Sequence, residues 1–161
     1  MKTLVVFYSR TGNTRMVAGE IAKQLKADTD EITDKADRSG AKGWILAGRD
    51  ASRKSLADIE SKKDPAKYDL VIIGTPIWAF TVTPAIRTYF TKNKELSKVA
   101  FFLTSGGKGI EHTFKEMEKL SKKPLATLAI KANTWTSKID FAKERAAERI
   151  EYFCKSVKKS T

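Results

Sequence analysis

Three short stretches hold the residue types that could do chemistry. The first is Ser9-Arg10-Thr11-Gly12-Asn13-Thr14, with three hydroxyls, an amide side chain and a glycine in six residues. A loop of that kind can wrap successive backbone N–H groups around an anion. A helix starting directly after it adds a partial positive charge and further donors, so a phosphate could be held with little need of a lysine. The spacing is neither that of a Walker loop nor G-x-G-x-x-G. The plainer alternative is an ordinary helix cap with a turn glycine. The second stretch is Gly74-Thr75-Pro76-Ile77-Trp78-Ala79-Phe80, and the third is Thr104-Ser105-Gly106-Gly107-Lys108-Gly109. Trp78 stands two residues after Pro76, which places it on a loop where its ring can stack on a planar ligand. The competing reading is a core tryptophan.

Each stretch follows an apolar run. Leu4–Tyr8, Leu70–Ile73 and Val99–Leu103 are continuous rather than alternating, as in strands covered on both faces of a parallel sheet. Residues 29–32 and 125–130 are weaker strand candidates, the first polar enough for an edge. Between the runs lie stripes at helical spacing. One comprises Val17, Ala18, Ile21, Ala22 and Leu25. A second comprises Ile86, Tyr89 and Phe90, opened by Thr83 and Pro84 as cap and first helical residue. A third runs Ile110, Phe114, Met117, Leu120. A long last one runs Ile139, Ala142, Ala146, Ile150, Phe153, Val157. This alternation predicts an α/β fold with a doubly wound parallel sheet and helices on both faces. Ligands in such sheets bind beyond the carboxyl ends of the strands, where all three stretches lie. Residues 33–66 break the rhythm. Trp44, Ile45, Leu46, Leu56 and Ile59 predict one or two short helices there, with part of the segment overhanging the site.

The chain of 161 residues suits one domain, spanning residues 1–161. One Cys and one His exclude an internal disulfide and a cluster of Cys or His metal ligands. His112, at a helix start, reads as a surface residue, and Cys154, beside Phe153, as a small buried hydrophobe. No apolar stretch is long enough to insert in a membrane, and no secretion signal is present, so the expected location is the cytoplasm. The formal charge is +12. Much of it comes from lysines near helix carboxyl ends, where cations are favoured. No nucleic-acid motif or aromatic-interleaved basic stripe accompanies it, which argues against nucleic acid as a partner.

Tyr8-Ser9-Arg10-Thr11-Gly12-Asn13-Thr14 resembles the FMN phosphate loop of the flavodoxins, Ser/Thr-x-Thr-Gly-x-Thr after the first strand. The other two stretches fall where that family places an aromatic against the isoalloxazine and backbone groups at the pyrimidine edge. The resemblance implies five parallel strands in order 2-1-3-4-5, a short link from the last strand to the last helix, and one non-covalently bound FMN. It assigns Ser9, Arg10, Thr11, Gly12, Asn13 and Thr14 to the phosphate, Arg10 through its amide. It assigns Thr75, Pro76, Ile77 and Trp78 to the isoalloxazine, and Ser105, Gly106 and Gly107 to the pyrimidine edge.

Two departures bear on function. The third stretch lacks the aromatic that many flavodoxins use as a second wall, which leaves one ring face open or covered by Trp44, Phe80 or another subunit. The charge is also opposite to the acidic surface usual in the family. The resemblance implies an electron carrier with a redox partner protein. The alternative is an NAD(P)H-dependent FMN oxidoreductase acting on quinones or other small oxidants.

Overall fold

The continuous apolar runs become strands buried on both faces. The structure is a computed structural model that describes residues 1–133 and 138–161. Five parallel strands, β1 (Thr3–Phe7), β2 (Asp28–Glu31), β5 (Leu70–Trp78), β7 (Lys98–Ser105) and β8 (Thr127–Lys131), run through a six-stranded sheet whose remaining short strand is antiparallel. Their order is β2-β1-β5-β7-β8, which in core strands is the expected 2-1-3-4-5. In-register pairs such as Val5 with Ile72 and Ile72 with Ala100 run across its centre.

Strand residues alternate between two cores. Val5, Phe7, Leu70, Ile72 and Phe102 face α1 (Asn13–Leu25) and α5 (Ala146–Lys159). Leu4, Val6, Val71, Ile73 and Phe101 face α3 (Pro84–Lys92) and α4 (Ile110–Leu120). Helices therefore cover both sides, because each strand must bury both rows of its side chains. Thr83 caps α3 by accepting the Ile86 N–H, with Pro84 next, as the sequence predicts. Gly74 pairs with Phe102 on the neighbouring strand, whose ring leaves no room for a side chain: a Cβ there would lie 1.9 Å from it.

Residues 33–66 hold one α-helix over Trp44, Ile45 and Leu46, as the sequence predicts: α2 (Gly40–Ser52). A 3-10 turn (Pro65–Lys67) closes the segment, and a two-stranded antiparallel ribbon, β3 (Thr33–Asp34) with β4 (Ile59–Glu60), adds to what the sequence shows. Leu56 lies outside any helix, and Ile59 belongs to the ribbon. The residues of α2 that bury are Gly43, Ala47 and Ala51, at steps of four, whereas Trp44, Ile45 and Leu46 are exposed. At Gly43 the need for a small residue is local: the chain leading into the helix folds over it, and a Cβ there would meet the Arg38 carbonyl carbon at 2.2 Å. The last helix begins at Ala146 rather than near Ile139. Arg145 takes a left-handed conformation, φ 48°, which breaks the helical path although Ile139 still buries. The link from β8 to α5 is correspondingly long, not short.

β2 is an edge strand. Its buried Asp30 turns inward and accepts the backbone N–H groups of Lys62 (2.9 Å) and Lys63 (2.8 Å). That bond set lays the end of the 33–66 segment against the sheet edge.

Candidate functional site

The carboxyl ends of β1, β5, β7 and β8 converge on a cleft of about 240 Å³. Nine of the residues singled out in the sequence line it: Arg10, Thr11, Asn13, Thr14, Pro76, Ile77, Trp78, Ser105 and Gly106. Gly12, Thr75 and Gly107 do not line it, and Ser9 lines a neighbouring depression instead.

Gly12 is the N-cap of α1 and sits at φ +95°, a conformation that only glycine enters freely. It has no side chain with which to cap the helix. The Ser9 hydroxyl instead accepts the N–H groups of Gly12 and Arg15, both at 3.2 Å. The positive end of α1 thus opens onto the cleft through Thr11, Asn13 and Thr14. Below it, the Thr14 and Thr104 hydroxyls are 2.8 Å apart and join α1 to the end of β7. The Arg10 guanidinium is committed elsewhere. It donates to the carbonyls of Arg38 (3.0 Å) and Gly40 (3.3 Å), tying the loop to the start of α2. That leaves the Arg10 backbone as the part of the residue available to the loop.

The second wall comes from β5. Thr75 is fully buried, with its hydroxyl bonded to the Pro76 carbonyl and paired with Thr83. It therefore supports the wall from behind. Trp78 meets the Tyr8 ring edge-on at 5.4 Å between centroids. Burial pushes the Tyr8 phenol up to about 12, with nearby Asp34 adding to the shift, so it stays neutral.

After Trp78 the chain does not run on as a loop. It turns back as a hairpin into β6 (Thr81–Val82), antiparallel to the end of β5. The two turn residues are Ala79 at φ 46° and Phe80 at φ 63°. Two positive values in a two-residue hairpin are the requirement that Asn-Gly usually meets. A residue with a Cβ costs about 1–2 kcal/mol in that region. Phe80 is 60% exposed and does not line the cleft.

The third wall is the loop after β7. The Ser105 hydroxyl accepts the Gly107 N–H at 3.1 Å, and Gly107 itself lies beside Lys131. Four lining residues were not assigned to the site from the sequence: Trp44, Thr104, Ala132 and Asn133. Trp44, weighed only as a possible cover, reaches the cleft from α2 and is 66% exposed. Ala132 and Asn133 follow β8. The rule that ligands gather at the carboxyl ends of strands applies equally to that strand and would have found them.

A larger, more open depression of about 680 Å³ lies on the far side of Arg10 and Thr11. Four of its six charged groups form ion pairs, Arg15 with Glu31 at 2.7 Å and Arg38 with Asp34 at 3.0 Å, while Arg10 donates to carbonyls and Asp37 accepts from Ser39. The smaller cleft has the helix terminus and the aromatic wall. Among the described residues, no helix is long and apolar enough to cross a membrane.

The sequence model of the flavodoxin family matches residues 2–129. Among solved structures, a flavoprotein in complex with FMN from Lactobacillus acidophilus NCFM superposes with a TM-score of 0.70 at 24% identity, over 80% of this chain and 92% of that one. Oxidised flavodoxin 2 from Bacillus cereus gives 0.62 at 17% identity over 100% of both chains. A WrbA-like flavodoxin from Agrobacterium tumefaciens gives 0.60 at 13% identity over 99% of both. No curated protein matches the sequence at comparable significance. The family match covers most of the chain, and the sheet order agrees with it: the chain belongs to the flavodoxin family.

Proposed function

We propose that this chain binds one FMN in the 240 Å³ cleft and passes electrons to a redox partner protein. The observation that carries the reading is the meeting of two unlike walls. One is a helix N-terminus headed by a glycine at φ +95°, which suits a phosphate. The other is an indole backed by a tyrosine, which suits a flat apolar ring. The FMN held by the Lactobacillus flavoprotein supports the choice of ligand.

The residues would divide the work as follows. Backbone donors of residues 9–14, with the Thr11 and Thr14 hydroxyls, hold the phosphate. Pro76, Ile77 and Trp78 exclude water from one face of the ring. Ser105, Gly106 and Gly107 present backbone groups to the pyrimidine edge, Gly107 from outside the lining. FMN supplies the redox chemistry; the protein supplies affinity and orientation. Partner choice by charge would favour an acidic docking surface, given the net charge of +12.

A second reading is NAD(P)H-dependent reduction of a quinone or other small oxidant. It is favoured by the third wall, where Ser105 and Gly106 put no aromatic against the ring. Two measurements test these readings. FMN titration of the purified protein should show one saturable site with a quenched flavin, and no binding would end both. Mixing the loaded protein with NADH or NADPH separates them: rapid bleaching selects the oxidoreductase, and a stable yellow protein selects the carrier.

A further inference from the structure

Glu116 and Thr113 lie outside the cleft lining, yet both are buried and both reach the same hairpin. The Thr113 hydroxyl is shared between the Gly109 carbonyl (2.7 Å) and the Phe80 carbonyl (3.3 Å). Three residues on, one oxygen of the Glu116 carboxylate accepts from the Thr81 hydroxyl and from the Val82 N–H at 3.3 Å. Its other oxygen accepts from Arg87 Nη2 at 2.8 Å, with Lys54 Nζ at 3.5 Å. Arg87 Nη2 also lies 3.3 Å from the Thr81 hydroxyl oxygen. Four of these bonds end on residues 80–82: one at the Phe80 carbonyl, two at the Thr81 hydroxyl and one at the Val82 N–H.

We infer that Thr113 and Glu116 are positioning residues, which clamp the left-handed Ala79–Phe80 turn onto α4 and thereby fix Trp78 at the cleft. Two non-glycine residues at positive φ persist only where surrounding contacts over-determine them. Here those contacts come from one helix face, since residues three apart share it. Gly109 lets the turn come close, because a Cβ on it would stand 2.9 Å from Phe80 Cα. Trp78 pairs directly with Thr81 across the ribbon, so a shift of Thr81 moves the indole. The same helix is entered from the third wall of the cleft, so α4 sets the spacing between the two loops flanking the proposed ring site. The affinity part of this inference rests on the FMN reading, and the hairpin part does not.

The experiment is a double-mutant cycle between the clamp and the turn. Glu116→Gln is made in the natural chain and in one carrying Ala79→Asn with Phe80→Gly, a turn that holds its own conformation. Amide hydrogen exchange is read at Trp78 and Thr81, and FMN dissociation constants are read by fluorescence. Glu116→Gln should speed exchange and weaken FMN by roughly 10-fold in the natural chain, and by under about 3-fold with the Asn-Gly turn. Equal losses in both backgrounds, or unchanged exchange and affinity in the natural one, would overturn the clamp. A purely structural role for the Arg87 pair predicts the equal losses. Thr113→Val, expected to act in the same direction at roughly a third of the size, carries the test if Glu116→Gln does not fold. If the natural chain takes up no FMN, the proposed function falls, and the exchange cycle still decides whether the clamp exists.

Discussion

The loop at residues 9–14, proposed to hold the phosphate, and the hairpin at residues 77–82 face the same cleft but are built in opposite ways. The first spends its positive φ on a glycine, Gly12, and closes on itself through the Ser9 hydroxyl. The second puts alanine and phenylalanine at positive φ and depends on bonds from residues more than thirty positions away. One conformation is specified by neighbours in sequence, and the other is imposed by tertiary packing.

Substitution of glycines separates the two most sharply. At Gly109 a methyl group would meet Phe80 backbone at 2.9 Å and would also occupy φ +77°. Gly109→Ala should therefore cost about 2–5 kcal/mol, combining overpacking with left-handed strain. At Gly12 the nearest atom to an added Cβ is the end of the Arg15 side chain, 3.9 Å away. Gly12→Ala should cost only about 1–2 kcal/mol in stability, from φ alone, while weakening FMN markedly. Urea unfolding checks both, and equal costs at the two sites would erase the contrast.

Acid should also act on the hairpin rather than the loop. Burial pushes the Glu116 carboxyl up, but bonds from Thr81, Arg87 and the Val82 N–H outweigh it and hold the group at about 2. Its ordinary value is 4.5. The folded state therefore binds this proton less readily than the unfolded chain. The stabilisation is complete above about 4.5 and is lost as pH falls toward about 2. Melting midpoints followed down that range should fall more steeply in the natural chain than in Glu116→Gln. Parallel curves would show that Glu116 holds nothing.

Relieving the turn should work in the other direction. Ala79→Asn with Phe80→Gly should stabilise the protein by about 1 kcal/mol, read as a higher thermal midpoint. The smallest effect belongs to the loop side. Arg15 and Glu31 form an exposed pair at 2.7 Å, so Arg15→Ala should change stability by under about 1 kcal/mol, and by less at high salt.

The same contrast explains what could be read from the sequence. The strand runs, the Thr83-Pro84 helix start and the Gly12 loop were legible because each is written in consecutive residues. The strand order came from a family resemblance carried by those same stretches. The hairpin was not legible, since Ala79-Phe80 carries no turn signature and its cause lies at Thr113 and Glu116. The start of α5 was misread because the apolar spacing from Ile139 continues through Arg145, where the backbone breaks. In α2 the large apolar residues do not mark the buried face: Gly43, Ala47 and Ala51 bury, and Trp44 is left to the cleft.

The inward carboxylate of Asp30, bound to two consecutive amides of the returning segment, reaches past the sheet. It moors the returning segment at residues 62 and 63 to the sheet face shared with Val6, while Asp28 and Thr29 stay exposed. Removing that one side chain would strand two partly buried amide donors at once, so a local loosening of the segment should precede loss of the sheet.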